Sequence, residues 1–443
     1  MRRTLRHPAR IVPTAFLVAI GVGTGLLMLP AARAGDGRPP VLTALFTATS
    51  AVCVTGLTVV DTASYWSSFG HGVIMALMQV GGYGIMTLAT LLGLLVSRRL
   101  GLRTRLVAQA EARVDDLSQL RRVLVRVAVF MLGFEVFVAV VLALRFAAGY
   151  REDAGTALWH GAFHSVSAFN NAGFSLYSNS LMGFVRDPWI CLPISLAVIV
   201  GALGFPVVFE LVREFRVPQR WSVHTRITVA GSALLLVVGT LAVLAFEWSN
   251  PRTLGPLDVP GKLLAAFVQG TMPRSGGFNS VDYAWMNAET LALTDALMFI
   301  GGGSAGTAGG IKVTTFFLLA FVLLAEVRGD PDVVVGHRRI SAATQRQALT
   351  IALLGVALIF VSTLTLQAFT PHPPDRVLFE VLSAFATVGL STGLTPTLPP
   401  AAKMVLVVLM FLGRVGTITV ATGLALRGRK TLYRHPEERP IVG

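Results

Sequence analysis

The chain has 443 residues, of which 53% are hydrophobic and only 14% are charged. Soluble domains carry roughly 25% charged residues, so this chain lacks the charge needed to cover a soluble globule of its size. Its 37 basic and 23 acidic residues give a formal net charge of +14, an excess that suits the anionic cytoplasmic face of a bilayer. The composition indicates a polytopic membrane protein and excludes a soluble enzyme, a disordered chain and a nucleic-acid-binding protein.

Charge-poor stretches of about 20 mainly apolar residues, long enough to cross a bilayer, recur along the whole chain. Seven continuous spans are predicted at residues 11–29, 70–96, 123–147, 188–212, 225–246, 348–369 and 402–426. An eighth, at about 291–325, is interrupted at 301–310, where six of ten residues are glycines. The first span follows basic residues and precedes Ala32-Arg33-Ala34, which resembles a small-residue cleavage site, so the region mimics a secretory signal. Its 19 residues exceed the usual apolar region of a signal, so we expect a retained helix.

A shorter, half-apolar segment lies between the members of each pair of spans. These four segments are residues 39–57, 154–174, 260–278 and 374–390, and they are predicted to be re-entrant because they are too short to span. Basic residues cluster on the other side of this arrangement. The N-terminus and residues 98–126, 213–226, 328–346 and 427–439 together hold 25 of the 37 Lys and Arg residues. The positive-inside rule therefore places both termini and the three linkers in the cytoplasm.

The four short segments align on one glycine. The aligned stretches are residues 51–57 (AVCVTGL), 168–174 (AFNNAGF), 272–278 (MPRSGGF) and 384–390 (AFATVGL). Their glycines are 117, 104 and 112 residues apart, a nearly constant period that indicates a repeated unit. We therefore predict an all-α membrane protein of four pseudo-repeated helix–pore loop–helix units, with eight transmembrane helices and four re-entrant pore helices around one central pore. The units are predicted at residues 1–97, 98–216 (with a cytoplasmic linker), 217–330 and 331–430, followed by a cytoplasmic tail at 431–443.

A re-entrant helix followed by an extended strand exposes backbone carbonyls, which at membrane depth is tolerated only beside water or inside protein. Four copies around one axis would form a ring of carbonyl oxygens able to replace the hydration shell of a cation. Glycine lets successive carbonyls point the same way, and four helix C-termini would add partial negative charge. The predicted filter residues are Val54, Thr55, Gly56, Asn171, Ala172, Gly173, Ser275, Gly276, Gly277, Thr387, Val388 and Gly389.

Longer motifs carry a resemblance to a known family. They are residues 51–57 with 59–62 (VVDT), 79–84 (QVGGYG), 164–174 (HSVSAFNNAGF), 274–279 (RSGGFN), 309–312 (GGIK) and 413–416 (GRVG). The chain resembles the membrane subunits of the Trk/Ktr/HKT potassium-transporter superfamily. It lacks the extra N-terminal helices of Trk-type members, which favours the Ktr branch. Two departures from the family are Ser275-Gly276 in place of Thr-Ala, and Cys53 in place of a small hydroxyl residue.

The resemblance implies potassium uptake through a channel-like pore in the plasma (inner) membrane, with potassium, and sodium as a further candidate, as the transported ion. It also implies a homodimer among membrane lipids, seated on a cytoplasmic KtrA-like ring of RCK subunits that bind a regulatory nucleotide. No cofactor of this chain and no nucleic-acid partner are expected. The alternative within the superfamily is an alternating-access cation symporter. A carrier for another solute or a membrane enzyme would need charged or ligand clusters that the sequence does not show.

The glycine run at 301–310 invites two interpretations. Gly301, Gly303 and Gly306 match a dinucleotide fingerprint, but that motif requires a βαβ unit, and membrane spans flank it here. Six glycines cannot sustain a helix, so the run is either a packing loop or, as the resemblance implies, a mobile gate. The predicted gate residues are Gly301, Gly302, Gly303, Ser304, Ala305, Gly306, Thr307, Ala308, Gly309, Gly310, Lys312 and Arg414.

Buried charges near this run have alternative explanations. Arg414 lies within the last span, where a cation is costly and usually faces the interior; a gate role and an ion pair with Glu135 both remain open. Lys312 is either part of the gate or a snorkelling residue.

His160 and His164 have the i, i+4 spacing of a metal pair but lack a nearby third ligand, so we expect hydrogen bonds around the filter and no transition-metal site. Asn170 and Asn171 are expected to support the filter in the same way. Cys53 and Cys191 imply no disulfide framework.

Overall fold

The structure, a computed structural model, describes residues 8–99 and 115–416, with side chains in 12–87 and 122–416. The predicted tail at 431–443, residues 417–426 of the last predicted span and residues 100–114 of the first linker lie outside these ranges. The helices are α1 (Pro8–Leu27), α2 (Val41–Val52), α3 (Thr62–Tyr65), α4 (Ser68–Arg99), α5 (Asp115–Tyr150), α6 (Ala154–Phe169), α7 (Pro188–Leu203), α8 (Phe205–Glu214), α9 (Val223–Glu247), α10 (Val259–Thr271), α11 (Ala288–Phe299), α12 (Val313–Arg328), α13 (Ala342–Phe369), α14 (Pro374–Phe385) and α15 (Pro400–Phe411).

Polar caps set where several helices begin. The side chains of Asp153, Asp187, Ser222 and Ser341 each accept a hydrogen bond from a backbone N–H in the first turn of α6, α7, α9 and α13. Such a cap satisfies one of the four free N–H groups at a helix start. Because these caps follow charged or turn-rich linkers, the long apolar stretches begin as helices close to the predicted bounds.

Three described helices have the length and composition to cross a membrane: Arg122–Tyr150 of α5, α9 and α13. The bent pair α7 and α8 makes a fourth if it is counted as one span. Val129, Leu144 and Phe360 on α5 and α13 are among many exposed apolar side chains of these helices. A bilayer would cover such apolar faces, as expected for a membrane protein. The count of eight spans stays a prediction.

The predicted span at 188–212 is not one continuous helix. It breaks at Gly204, which has φ +89, and α7 and α8 meet at an angle of 100°. Pro206 lies in the first turn of α8 and has no N–H to offer the carbonyl of Ala202 four residues earlier. Gly204 supplies the conformation that an L side chain rarely adopts, so the predicted span is bent rather than one continuous helix.

The predicted interruption of the eighth span is present. Helix α11 ends at Phe299, α12 starts at Val313, and residues 301–310, here called the glycine-rich loop, lie between them. Backbone hydrogen bonds close the base of this loop, from Gly301 N to Ile311 O at 2.7 Å and from Ile311 N to Phe299 O at 3.1 Å. The two halves of the span are therefore held together although the helix is broken.

The four short helices α2, α6, α10 and α14 form the centre of the molecule. Most of their residues are buried, and the main hydrophobic core contains Phe46, Phe163, Val268 and Phe379 from them. Each helix falls within one of the four predicted short segments, except that α10 begins one residue before its segment. Between α12 and α13, a two-residue strand pair, Val334–Val335 with Arg338–Arg339, forms a hairpin.

Candidate functional site: four glycine segments and the loop beneath them

The residues that follow the four short helices share one backbone conformation. We call residues 54–56, 171–173, 275–277 and 387–389 glycine segments 1 to 4. In each segment the first and third residues have positive φ: Val54 and Gly56 (54° and 89°), Asn171 and Gly173 (60° and 71°), Ser275 and Gly277 (72° and 75°), Thr387 and Gly389 (48° and 92°). The middle residue of each has negative φ. Alternating signs of φ let successive carbonyls turn to one side of the chain.

The four segments meet in a closed ring. A Cβ built on Gly56 would overlap the carbonyl oxygen of Ala172 in segment 2, and a Cβ on Gly173 would lie 2.6 Å from Gly277 Cα in segment 3. A Cβ on Gly277 would lie 2.6 Å from Val388 O in segment 4.

The last contact of the ring joins segment 4 to segment 1. A Cβ on Gly389 would overlap Thr55 O. The order around the ring is therefore 1, 2, 3, 4, with segments 1 and 3 opposite each other and 2 and 4 opposite each other. No other residue type fits at these glycines without displacing a neighbour.

Hydroxyl residues six positions before each glycine hold three of the segments to their helices. Gly56 N donates to Ser50 Oγ at 3.0 Å and Gly389 N donates to Ser383 Oγ at 3.1 Å, while Ser167 Oγ donates to Phe174 O at 2.8 Å. We did not single out these serines from the sequence. The repeated signal was nevertheless available, because residues 50, 167, 271 and 383 are Ser, Ser, Thr and Ser.

Segment 3 departs from the common pattern. Its helix ends earlier, Gly276 N donates to Met272 O at 2.8 Å, and Ser275 Oγ donates to Thr387 O of segment 4 at 2.7 Å. Arg274 bonds away from the ring, from Nη1 to Ser232 O at 3.0 Å and from Nη2 to Ser232 Oγ at 2.8 Å. The segments themselves carry no charged side chain. The electrostatic character of the ring therefore comes from carbonyls and from the C-terminal ends of the short helices.

The glycine-rich loop lies directly against the ring. Thr307 Oγ1 donates to Asn171 Oδ1 of segment 2 at 2.6 Å, and Gly309 N donates to Ser275 Oγ of segment 3 at 3.1 Å. A Cβ on Gly309 would overlap Thr387 Oγ1 of segment 4. The predicted filter and gate residues are thus brought together, with three of the four segments in contact with one loop.

Two basic residues fasten this loop. Lys312 Nζ donates to Ala308 O at 2.5 Å, and the Nη1 of Arg414, in the turn after α15, donates to Thr307 O. Arg414 is 3% exposed, and within the described ranges its Nε and Nη2 have no hydrogen-bond partner. The alternative of an ion pair with Glu135 was wrong, since no such pair exists among the described residues.

Glu135 instead belongs to a polar cluster beside segment 2. Its carboxylate accepts hydrogen bonds from Gln79 Nε2 at 2.9 Å and from Asn170 Nδ2 at 3.0 Å. Asn170 Nδ2 also lies 3.0 Å from Gln79 Oε1. The cluster ties α4 and α5 to the residue just before Asn171, which is the supporting position we expected for Asn170.

His160 and His164 do not converge on a common metal position. His160 Nδ1 lies 3.0 Å from a Glu152 oxygen and from Tyr177 Oη, whereas His164 Nε2 lies 3.0 Å from Ser175 Oγ. Within the described ranges there is no group of three or more His, Cys, Asp or Glu that could hold a metal ion. Cys53 and Cys191 are free and buried.

The loops that leave segments 1 and 2 are tied to each other. Ser178 Oγ donates to Asp61 Oδ2 at 2.6 Å. Partial burial raises the pKa of Asp61, but hydrogen bonds from Ser178, from Ser64 and from the backbone N–H of Ala63 outweigh it and lower that pKa below its usual 3.8. The ionised carboxylate is therefore the form that the fold favours.

Comparison with known proteins agrees with this architecture. The TrkH family, described as a cation transport protein, matches residues 2–428. The chain is 36% identical to Ktr system potassium uptake protein B of Bacillus subtilis over 98% of this chain and 97% of that protein. It is 37% identical to the protein of the same name from Vibrio alginolyticus, over 98% and 94% of the two chains. The crystal structure of the potassium transporter TrkH from Vibrio parahaemolyticus superposes with a TM-score of 0.74 over 94% of this chain and 85% of that one, at 20% identity.

The fold and the matched sequence define a membrane protein of the cation-transport class. The chain belongs to the TrkH family of cation transport proteins, which confirms the resemblance to the Trk/Ktr superfamily. Membership of this family of transporters also excludes the membrane-enzyme alternative.

Proposed function

We propose that this chain is the membrane subunit of a potassium uptake system of the plasma membrane, and that potassium ions pass between glycine segments 1 to 4. The observation that carries the proposal is the closed ring of four segments with the same alternation of φ. Relatives of this chain from Bacillus subtilis and Vibrio alginolyticus are named as potassium uptake proteins. A third relative, from Enterococcus hirae, is named as a potassium/sodium uptake protein and is 34% identical over 98% of this chain.

The proposed selectivity rests on backbone oxygens. Carbonyl rings can replace the hydration shell of a potassium ion, and the segments contain no carboxylate that would bind a divalent cation more strongly. The C-terminal ends of α2, α6 and α14 lie four residues before the glycines, where their partial negative charge favours a cation. The third filter residue in each unit is glycine because the neighbouring segment leaves no room for a side chain.

The glycine-rich loop is the proposed gate. It contacts segments 2, 3 and 4 from one side, and Arg414 and Lys312 hold two of its carbonyls. A loop in this position would obstruct the ion path, and the positive charge of Arg414 would oppose a cation leaving the ring. Opening then requires the loop to leave these contacts.

The proposed organisation follows the sequence predictions. Four units at 1–97, 98–216, 217–330 and 331–430 would surround one pore, with both termini and the tail at 431–443 in the cytoplasm. Two copies would form a homodimer in the lipid bilayer, on a KtrA-like ring of RCK subunits that carries the regulatory nucleotide. The basic linkers suit contact with such a ring or with anionic lipids.

Ion uptake tests the proposal. Expression in cells that lack their own potassium uptake should restore growth at low potassium and rubidium uptake. Gly389→Ala and Gly173→Ala should abolish uptake, because the added Cβ collides with the adjacent segment. A matched control is Gly72→Ala in α4, where nothing lies within 4 Å of the added Cβ. Uptake unaffected by the first two substitutions would reject the ring as the ion path.

An alternating-access cation symporter is the second candidate. Broken helices are a feature of such carriers, and the described helices are broken at Gly204 and at 301–310. A symporter would accumulate potassium against its gradient when a sodium gradient is imposed on proteoliposomes. A channel-like protein would only equilibrate potassium along its own electrochemical gradient, which is the result we expect.

A further inference from the structure

We propose that His164 and Glu380 are positioning residues that hold the outer ends of glycine segments 2 and 4, and that potassium selectivity depends on these two fastenings. The inference rests on the proposed function and extends it to residues outside the ring. Both side chains are completely buried, and both lie on short helices rather than in the segments.

The two residues occupy the same position in their units. His164 lies nine residues before Gly173, and Glu380 lies nine residues before Gly389. His164 Nε2 lies 3.0 Å from Ser175 Oγ and 3.3 Å from Leu176 N. These partners are two and three residues after the glycine.

Glu380 makes the equivalent contacts in the fourth unit. Its Oε1 accepts hydrogen bonds from Ser391 Oγ at 2.6 Å and from Thr392 N at 3.0 Å, again two and three residues after the glycine. Its Oε2 accepts from Thr395 Oγ1 at 2.6 Å. A histidine and a glutamate therefore perform one task at one position of the repeat.

The hydrogen bonds define His164 as an acceptor. Its Nδ1 lies 2.8 Å from the carbonyl of His160, which can only accept, so Nδ1 carries the proton. Nε2 is then unprotonated and accepts from the hydroxyl of Ser175 and the N–H of Leu176. Both fastenings are thus acceptors that capture donors of the departing chain.

The other two units have no equivalent acceptor at this position, although Gln269 of the third unit, eight residues before Gly277, donates from Nε2 to Val281 O at 2.9 Å. The corresponding residues are Thr47 in the first unit and Val268 in the third. In the described part of the chain, neither side chain hydrogen-bonds to the residues after its glycine. Because the ring order is 1, 2, 3, 4, the two segments held by His164 and Glu380 face each other across the ring.

The arrangement predicts a role in ion selection. In the size-based account of carbonyl filters, the spacing of the carbonyls discriminates potassium from the smaller sodium ion only while the carbonyls cannot close inward. Fastening the chain just beyond Gly173 and Gly389 restricts that movement on one pair of opposite segments. Loosening either fastening should lower selectivity more than it lowers protein yield.

The test is the ratio of potassium to sodium flux in proteoliposomes that contain the purified full chain. We expect Glu380→Leu and His164→Phe, which remove the acceptors at similar volume, to lower this ratio by about tenfold, the factor that corresponds to loss of roughly one buried hydrogen bond. Ser391→Ala and Ser175→Ala remove the donors instead and should lower the ratio in the same direction. They keep the proposal testable if a buried substitution prevents folding.

Two substitutions provide matched controls. Glu247 is also completely buried and its carboxylate accepts from Asn287 N, Thr290 Oγ1, Asn250 Nδ2 and Thr253 Oγ1, but it joins loops between α9 and α11. Glu247→Leu, and His71→Phe in α4, should leave the flux ratio unchanged.

The outcomes separate the inference from the function on which it rests. An unchanged ratio in Glu380→Leu and Ser391→Ala, with normal potassium flux in the wild type, would overturn the fastening role alone. Equal losses in Glu247→Leu would assign the effect to general destabilisation and overturn it as well. A wild type that carries no potassium would overturn the proposed function itself.

Discussion

Replacing Arg414 by methionine should raise the potassium flux of the isolated protein. Arg414 Nη1 donates to Thr307 O and so fastens the glycine-rich loop from the turn after α15. Methionine fills much of the same space but has neither the hydrogen-bond donor nor the positive charge. The substitution therefore weakens the attachment that keeps the loop against the ring. It also removes a positive charge that repels cations from the proposed ion path.

The expected size of the effect follows from the contacts of the guanidinium. A hydrogen bond from a charged group contributes about 1.5–3 kcal/mol, which corresponds to a shift of about 10- to 150-fold in the ratio of closed to open loop. Within the described ranges, however, Nε and Nη2 of Arg414 have no partner. Burying these two unpaired groups destabilises the closed state, and methionine removes this penalty. We therefore expect a shift at the lower end of the range, about tenfold. While the open state is rare, flux rises in proportion to its population.

Rubidium uptake into proteoliposomes, without a regulatory subunit, measures this change. Arg414→Lys keeps the charge but not the planar fork and should fall between the wild type and Arg414→Met. Arg145→Met is the control, because Arg145 pairs with Asp187 at 2.7 Å, remote from the loop. A folded Arg414→Met protein with flux equal to or below that of the wild type would refute the gate role of this residue.

Three further predictions concern the loop, the ring and the outer surface. Deleting three residues within 303–309 should raise basal rubidium flux, and unchanged flux in a folded protein would contradict the gate. Ser383→Ala leaves the N–H of Gly389 without its acceptor, at a cost of about 1–3 kcal/mol, and should reduce potassium flux while Ser195→Ala, which loses no hydrogen bond in the described structure, does not. Asp61→Asn should lower the free energy of unfolding by about 1 kcal/mol at pH 7. Because the fold lowers the pKa of Asp61, this difference is fully present above the usual pKa of 3.8 and is lost as the pH falls through the lower folded value, which thermal unfolding in detergent at pH 7 and in strong acid would check.

Helix positions could be predicted where composition and repetition agreed. The four short segments contain α2, α6 and α14 and all but the first residue of α10, and the glycine-rich stretch interrupts the eighth span as expected. The break at Gly204 was missed because residues 188–212 are mainly apolar and long enough to span, and that composition was given more weight than the local sequence. The local signal is Gly204 followed by Pro206. Glycine allows a backbone conformation outside the helical region, and proline lacks the N–H donor that a continuous helix needs at this position.

The partners of the site residues were harder to predict. The alignment of four glycines located the ring, since backbone geometry repeats with the sequence. Arg414 and Glu135 are distant in the chain from the residues they bond, and no local pattern identifies Thr307 or Asn170 as those partners. The shared role of His164 and Glu380 was not visible in the sequence because two different side chains occupy the equivalent position. A search restricted to identical residues cannot find such a repeat.

The two helix breaks are complementary. Without an N–H at Pro206, the carbonyl of Ala202 has no donor within the helix, and Gly303 N of the glycine-rich loop supplies one at 2.8 Å. Thr307 N likewise donates to Gly201 O at 3.0 Å. The bend at Gly204 also creates the space that the loop occupies, since a Cβ on Gly204 would lie 2.5 Å from Ser304 O. The second unit therefore supplies carbonyls without partners in their own helix and space beside Gly204, and the third unit supplies a loop whose N–H groups bond to those carbonyls. These contacts explain how a single loop can reach three segments of a fourfold ring.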